Sequence, residues 1–399
     1  MILTLEYHRS PVRYMTSRTA TGSAIGGRAA GVLAANLSPL RLLNRPEPRR
    51  PAGDWTRVRP LLSGICGSDM GLLTGRSSPY LSALVTMPFT PGHEVVGETL
   101  DELDDLPRGT RVVIDPVLGC VPRDVEPCEG CASGAHNRCD RVTAGAIPPG
   151  MQTGFCGGTG GTGGGWSRML VAHRSQLHPV PDGLDDREAV LVEPLACAVR
   201  SVRRAPIIEG AGVLIVGAGT VGLLTLLALR ELTPAGPVSV VARYGHQRER
   251  ARELGATEVL SPDRAARALR RTTGGFLATP DRGSEFLLGG AEVVFECTGG
   301  SGLDTALRVA SAGGTVVLSG MPNREVDLTP AWFRELSLVG AYASTAEDFA
   351  DALSLAQVPA VRGYTDAVYP LSRWRDAVGH ASDAGRLGTV KVAFDPNRD

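Results

Sequence analysis

The sequence VLIVGAGTVG at residues 213–222 joins a short apolar run to a glycine-rich turn. In such a motif the first glycine permits a tight turn, the second lets the backbone approach a pyrophosphate, and the third lets a helix pack closely on the preceding strand. The free N–H groups at the start of that helix favour a phosphate. The stretch therefore predicts a dinucleotide site, although a turn that had lost its ligand would show the same pattern. Its candidate cofactor-binding residues are Gly217, Gly219, Thr220, Val221 and Gly222.

The residues around this turn alternate between strand-like and helix-like patterns. Strands are predicted at 212–216, 238–242, 291–295 and 315–319, and helices at 223–232, 248–254 and 303–310. This alternation predicts an α/β fold with a doubly wound parallel sheet. Residues 60–115 instead show short strand patterns separated by Gly and Pro, which predict a β-rich domain. Residues 1–60 show no clear pattern.

The end of the second predicted strand bears on the choice of cofactor. An NAD site usually has an acidic residue there, which accepts a hydrogen bond from the ribose 2′-OH. This chain has Ala242 at that position and Arg243 directly after it. Loss of the carboxylate removes repulsion against a 2′-phosphate, and the guanidinium of Arg243 can pair with that phosphate. We therefore predict NADP(H), with Arg243, Tyr244 and Arg248 as cofactor-binding candidates; a solvated face at the start of a helix is the alternative.

Four cysteines occur within a long irregular stretch rich in Gly and Pro, residues 116–165. They are Cys120, Cys128, Cys131 and Cys139, separated by seven, two and seven residues. Four thiolates held this closely suit a closed structural zinc site, and such a site would order the loop that carries it. Reduced cysteines without metal, or a redox pair, are the alternatives.

A second group of metal-ligand residue types is spread over a longer range. Cys66, His93 and either Glu94 or Glu193 offer a thiolate, an imidazole and a carboxylate, which suit a catalytic zinc with one open position. Zinc held in this way can polarise a carbonyl or lower the pKa of a bound alcohol. Ser68 could pass a proton between the bound oxygen and solvent, or it could simply form a turn.

The overall composition excludes several classes of function. With 43% hydrophobic and 21% charged residues and a formal net charge of -1, the chain offers no electrostatic case for a nucleic acid or an anionic membrane as partner. We find no apolar run of membrane-spanning length and no signal-peptide pattern at the N-terminus. Eight cysteines in this setting favour metal sites or free thiols in a reducing cytoplasm. Lys391 is the only lysine, and we attribute the excess of arginine to codon usage rather than to chemistry.

Several segments together make the chain similar to a known family. They are GICGSD (64–69), PGHEVVGE (91–98), the four-cysteine loop (120–139), VEPLA (192–196), GAGTVG (217–222) and FECTGG (295–300). Over residues 55–399 the chain resembles the zinc-dependent medium-chain dehydrogenases, the group of alcohol, sorbitol, glucose and threonine dehydrogenases. The resemblance implies a GroES-like catalytic domain over 1–200 with a structural-zinc loop at 116–145, a Rossmann domain over 201–344, and a return to the catalytic domain over 345–399. It also implies homodimers or homotetramers.

The resemblance also assigns roles to individual residues. In the polyol and sugar dehydrogenases of this family, the Cys, the His and the Glu after the His bind zinc, and the Glu of the Glu-Pro-Leu segment is a nearby or alternating ligand. By this resemblance the metal ligands are Cys66, His93, Glu94 and Glu193 for a catalytic zinc, with the four cysteines for a structural zinc. The proton relay of the family falls on Ser68.

The chain departs from the family in three places. Seven residues separate the first two cysteines of the structural site, where the family usually has two. Gly71 stands where some members have a histidine that extends the proton relay. The stretch before residue 55 is longer than expected, and it could shape a different substrate pocket.

The sequence thus predicts an NADP-dependent zinc oxidoreductase that interconverts a secondary alcohol and a ketone. Its small-molecule substrate would be a polyol, a sugar or a hydroxylated biosynthetic intermediate. One alternative keeps the fold but reduces a conjugated C=C bond or an iminium ion, with zinc structural or peripheral. Another is a non-enzymatic NADPH-binding protein or redox sensor, against which the set of Cys66, His93 and Glu94 argues.

Overall fold

The computed structural model describes residues 1–22, 35–322 and 325–398. They form two compact units, the first comprising Met1–Glu193 with Ser344–Asp399 and the second Pro194–Ala343. The sequence prediction set these divisions at 200 and 344. A helix, Val192–Arg203, begins in the first unit and continues in the second.

The regular elements follow one another along the chain in this order. The strands are β1 (Ile2–Tyr7), β2 (Leu40–Arg45), β3 (Trp55–Gly64), β4 (Val95–Thr99), β5 (Arg111–Ile114), β6 (Leu170–His173), β7 (Leu177–Pro179), β8 (Val213–Val216), β9 (Val238–Val241), β10 (Glu258–Leu260), β11 (Phe276–Ala278), β12 (Phe286–Leu288), β13 (Ala291–Glu296), β14 (Ala310–Leu318), β15 (Ser337–Gly340), β16 (Thr365–Pro370) and β17 (Lys391–Asp395). The α-helices are α1 (Pro11–Gly22), α2 (Gly67–Leu73), α3 (Glu129–Ala132), α4 (Asp186–Ala189), α5 (Val192–Arg203), α6 (Thr220–Leu232), α7 (Gly245–Glu253), α8 (Ala265–Thr273), α9 (Leu303–Val309), α10 (Thr329–Phe333), α11 (Ala346–Leu355) and α12 (Trp374–Leu387).

The first unit is built around a largely antiparallel sheet that both ends of the chain complete. Its strand order is β16-β17-β3-β4-β5-β7, and β6 pairs with β3 beside this path. β17 runs antiparallel to β3, with Ala393 opposite Gly64. The C-terminal return therefore lies directly beside the strand that leads into the Cys66 segment.

The N-terminal segment adds a small sheet and a helix to the first unit. β1 pairs antiparallel with β2, and α1 lies between them in sequence. Leu5 and Tyr7 are buried, and their N–H groups donate to the carbonyls of Trp166 and Phe89 at 2.9 and 2.8 Å. β1 is thus part of the core of this unit, because its buried side chains and backbone hydrogen bonds both join it to later segments.

The second unit holds a sheet with the order β10-β9-β8-β13-β14-β15, and its pairings are all parallel among the described residues. The residues of β8 and β9 are buried throughout, as expected for parallel strands covered on both faces. This strand order is that of a doubly wound dinucleotide-binding sheet, in which ligands bind at the carboxyl ends of the strands where the order reverses. Gly217 follows β8 at that edge.

The α/β fold class with a β-rich unit and a doubly wound parallel sheet is confirmed. The sequence analysis missed β1, α1 and β2, and also α8 with the small β11–β12 sheet. In the part of the chain that the structure describes, no helix combines the length and apolar character needed to cross a membrane.

An ion pair between Arg57 and Asp101 connects β3 to the segment after β4. Arg57 Nη2 donates to Asp101 Oδ1 at 2.6 Å, and the backbone N–H of Arg57 donates to Asp101 Oδ2 at 2.9 Å. The side-chain hydrogen bonds from Arg57 lower the pKa of Asp101 from 3.8 to about 2. Because the pKa of the folded state lies below that of the unfolded chain, the contribution to stability is present above about pH 4 and is lost as the pH falls toward 2.

We therefore expect Asp101→Asn to lower the melting temperature most at pH 6 and progressively less between about pH 4 and pH 2. Thermal unfolding of both proteins across this range measures the difference. A difference in melting temperature that stays constant with pH would contradict the assignment.

Candidate active site

The segment around Cys66 turns from strand to helix at a single residue. Cys66 has an extended backbone and forms the N-cap of α2. Its N–H donates to Asp69 Oδ2 at 2.9 Å, which satisfies a donor that the helix start would leave free. Burial raises the pKa of Asp69, while the His93 ring and this N–H oppose the rise. The capping contact fixes Cys66, and with it Ser68 in the first turn of α2.

The structure brings three of the predicted ligands together. Potential ligand atoms of Cys66, His93 and Glu94 lie within 4.8 Å of one another. His93 and Glu94 are 4% and 1% exposed, so water has little access to either side chain. Glu193, at the start of α5, lies outside this mutually close group, yet its charge contributes to raising the pKa of His93. We refer to Cys66, His93 and Glu94 as the mixed metal group.

The electrostatics of the mixed metal group suit a divalent cation. Burial alone would lower the pKa of His93, but the charges of Asp69, Cys66 and Glu193 raise it well above its usual range. His93 Nδ1 and Asp69 Oδ1 lie 3.8 Å apart, and neither has a hydrogen-bond partner among the described residues. The negative charges around this buried imidazole favour a positive charge at the site, and thiolate, carboxylate and the deprotonated imidazole are donors that zinc accepts.

Lys391 is a member of this site that the sequence analysis missed. Its ammonium forms a buried ion pair with Glu94 Oε2, and the two side chains are 3% and 1% exposed. Burial alone would lower the pKa of Lys391, but the charges of Glu94, Cys66 and Glu193 outweigh burial and raise it. The sequence feature that could have pointed to Lys391 is that it is the only lysine in a chain whose other basic side chains of this kind are arginines.

The sheet of the first unit explains how Lys391 reaches Glu94. Lys391 begins β17, which pairs with the end of β3, and the N–H of Gly64 donates to the carbonyl of Glu94 at 2.9 Å. A Cβ at Gly64 would overlap Glu94 Oε2 and would lie 2.7 Å from Lys391 Cε. The glycine in the GICGSD segment is therefore required because the ion pair occupies the space of a side chain.

The four cysteines form a second compact group. Potential ligand atoms of Cys120, Cys128, Cys131 and Cys139 lie within 4.8 Å of one another, and the Sγ atoms of Cys120 and Cys139 are 3.6 Å apart. Sulfur atoms around a tetrahedral zinc are about 3.8 Å apart, given Zn–S bonds of about 2.3 Å. Backbone N–H groups of Cys131 and Asp140 lower the pKa of the Cys128 thiol to about 6, whereas burial raises the pKa of the Cys131 thiol to about 11. The group fits a zinc ion.

The unusual spacing between Cys120 and Cys128 is accommodated by a buried arginine. The intervening residues contain a short 3₁₀ turn, Val121–Arg123, and the Arg123 side chain is fully buried. Its guanidinium donates to the carbonyls of Leu118, Ala144, Ile147, Pro148 and Gly150. These hydrogen bonds hold the segments before Cys120 and after Cys139 together, so the longer spacing between Cys120 and Cys128 does not separate the four cysteines.

The predicted nucleotide turn has the geometry that its glycines require. Gly217 has φ of +103°, and a Cβ there would lie 2.6 Å from Thr298 Cγ2. A Cβ at Gly222 would overlap the carbonyl of Gly217, so helix and turn touch through backbone. Gly219 caps α6, and a Cβ there would meet none of the described heavy atoms within 4 Å. The start of α6, at Thr220 and Val221, thus faces open space that can hold a phosphate.

The residues after β9 differ in how they are held. Arg248 donates to the carbonyls of Ala242 and Arg243, which fixes the turn between β9 and α7. Arg243 itself is exposed. Tyr244 stacks on His246, with ring centroids 6.2 Å apart. Of the three candidate cofactor-binding residues, Arg243 has an exposed side chain that can contact a ligand, whereas the side chain of Arg248 is engaged in hydrogen bonds to the backbone.

Comparison with known proteins agrees with this arrangement. A family model described as alcohol dehydrogenase GroES-like domain matches residues 52–182, and one described as zinc-binding dehydrogenase matches residues 220–357. An L-idonate 5-dehydrogenase of Vitis vinifera is 30% identical over 294 residues, which cover 72% of each chain. The chain belongs to the zinc-dependent medium-chain dehydrogenase family.

Other members of the family show a similar degree of likeness. A sorbitol dehydrogenase of Arabidopsis thaliana is 31% identical over 300 residues, 72% of this chain and 73% of that protein. A protein described as a zinc-binding dehydrogenase of Sinorhizobium meliloti 1021, solved bound to NADP, has a TM-score of 0.68 at 28% identity and covers 90% of this chain and 95% of its own. Family membership makes this dehydrogenase an oxidoreductase with a GroES-like and a Rossmann domain.

We expect Lys391→Met to lower the free energy of unfolding by about 3 kcal/mol, because it leaves Glu94 as a buried charge without its partner. Urea denaturation followed by intrinsic fluorescence measures the loss. The double variant Lys391→Met with Glu94→Gln is the matched control, and it should recover most of the stability because the unpaired charge is gone. Equal losses in the single and the double variant would contradict the role of this ion pair.

Proposed function

We propose that this dehydrogenase interconverts a secondary alcohol and a ketone, with NADP(H) as the hydride carrier and zinc in the mixed metal group. The observation that carries the proposal is the convergence of Cys66, His93 and Glu94 within 4.8 Å in a buried setting. Ser68 lies on α2 two residues after Cys66, and its half-buried hydroxyl is the nearest candidate in sequence for proton transfer.

Within the first unit, one set of residues would bind metal ions and Ser68 would transfer a proton. Cys66 and His93, with Glu94 or Glu193, would hold one zinc, and the four cysteines would hold a second in a structural role. When bound, the first zinc supplies Lewis-acid polarisation of the substrate oxygen. Lys391 balances the charge of Glu94, and Asp69 fixes the helix start that carries Ser68.

The preference for NADP(H) rests on the residues after β9. Ala242 occupies the position at which an acid would repel a 2′-phosphate, and the exposed Arg243 follows it. The S. meliloti protein, at 28% identity, was solved with NADP, which supports the same cofactor here. Its nicotinamide ring would supply or accept the hydride.

The names of the relatives support a hydroxylated substrate. L-idonate, sorbitol and D-xylulose enzymes match the chain at 28–31% identity, so we propose a small hydroxylated substrate, within a class that comprises polyols, sugars and hydroxylated biosynthetic intermediates. Assembly into homodimers or homotetramers remains a prediction from the family resemblance.

Turnover of a ketone panel with NADPH tests the reaction. We expect Ser68→Ala to lower kcat on the order of 10²-fold, because the proton then lacks its carrier. Zinc content by elemental analysis, expected at two ions per chain in both proteins, serves as the control. Ketone reduction that is unaffected by Ser68→Ala would contradict the proton role, and the absence of any ketone turnover would refute the proposed reaction.

The cofactor preference is tested by Arg243→Ala. Loss of a charged hydrogen bond to the 2′-phosphate should raise KM for NADPH about tenfold and leave KM for NADH unchanged. Arg252→Ala is the matched control, since Arg252 is an exposed arginine on α7. A wild-type enzyme that prefers NADH would overturn the assignment.

A further inference from the structure

A cavity of about 250 Å³ lies in the first unit beside α2. Its surface is largely apolar, and its lining includes Leu72, Val85, Met87, Phe89, Met151 and Phe155. A cavity of about 150 Å³ can bind benzene, so this space can hold a larger apolar group.

The N-terminal segment supplies one wall of this cavity. Tyr7 at the end of β1 and Tyr14 on α1 both line it. Tyr14 Oη donates to the carbonyl of Ser77 at 2.7 Å, which ties α1 to the opposite rim. These residues precede position 52, where the match to the GroES-like family model begins. The match to that family model therefore does not include the wall.

Shared side chains connect the cavity to the mixed metal group. Phe155 lines the cavity and also packs on the His93 ring, with centroids 5.8 Å apart. Phe89 continues this aromatic contact toward the N-terminal wall, with its ring centroid 5.3 Å from that of Phe155 and 5.4 Å from that of Tyr7. An aromatic row thus runs from the wall to a candidate zinc ligand.

The geometry of α2 gives a second connection. Leu72 follows Ser68 by four residues on the same helix, and side chains at this spacing lie on one face. Leu72 is buried and lines the cavity. A substrate whose reacting carbon lies near Ser68 can therefore extend an apolar substituent along this face toward the cavity.

We propose that this cavity binds an apolar substituent of the substrate, so that the enzyme acts on a secondary alcohol or ketone with an aliphatic or aromatic arm rather than on a fully hydroxylated polyol or sugar. The proposal rests on the reaction proposed above. Polar side chains of the lining, such as His8 and Ser77, present little polar surface to the cavity, so a polyol would leave most of its hydroxyl groups without partners against Leu72, Phe89 and Phe155, which is unfavourable. An apolar arm gains from leaving water, by about fourfold in affinity for each buried methylene group.

Initial rates with NADPH on a matched pair of ketones, 2-butanone and 2-octanone, test this inference, with sorbitol oxidised by NADP as the polyol comparison. We expect kcat/KM to be at least tenfold higher for 2-octanone than for 2-butanone. Leu81→Trp fills the cavity from the 3₁₀ turn Pro79–Leu84 and should bring that ratio toward one. Ala83→Trp is the matched control, because Ala83 is exposed on the same turn outside the cavity lining, and it should keep the wild-type ratio.

Met151→Trp provides a second filling variant if Leu81→Trp loses its fold by thermal unfolding, since Met151 approaches from a different segment. Equal kcat/KM for the two ketones, or a preference for sorbitol, overturns the apolar cavity while leaving the ketone reaction in place. A wild-type ratio that survives both filling variants also overturns it. The absence of turnover on any ketone refutes both this inference and the proposed reaction.

Discussion

The ion pair between Lys391 and Glu94 joins β17, near the C-terminus, to the mixed metal group. Two buried charges are costly to remove from water unless each stays beside its partner. The pairing of β17 with β3 must therefore keep its register, because a slip by one residue would turn Lys391 to the other face of the sheet. Gly64 leaves the space in which the two side chains meet. The architecture of the first unit and the charge balance of its site thus depend on one contact.

The two cysteine-containing groups have different surroundings, which suits different roles. The mixed metal group is buried beside titratable partners: Lys391 balances the charge of Glu94, and Asp69 adds negative charge beside His93. The four-cysteine group is held by backbone N–H donors and by the carbonyl contacts of Arg123. A closed sulfur cage stabilises a loop, whereas a mixed donor set beside a hydroxyl can support chemistry.

The N-terminal segment changes how the relatives' names bear on this chain. The match to the GroES-like family model begins at residue 52, and the wall made by Tyr7 and Tyr14 precedes it. The candidate zinc ligands come from GICGSD and PGHEVVGE, whereas one wall of the proposed substrate cavity comes from β1 and α1, so the two can diverge separately. The sequence patterns did not predict the structure of this segment, because β1 is held by backbone hydrogen bonds to Phe89 and Trp166, which lie far along the chain.

Short local motifs determined the doubly wound sheet, the turn at Gly217–Gly222 and the identity of Cys66, His93, Glu94 and the four cysteines as candidate ligands, because glycine geometry and ligand chemistry are encoded within a few residues. Only the tertiary structure decided that Glu94 rather than Glu193 lies in the mutually close group, that Lys391 neutralises it, and that β1 and α1 border an apolar cavity. These features depend on strands paired across most of the chain, and side-chain periodicity carries no information about which distant segments will meet.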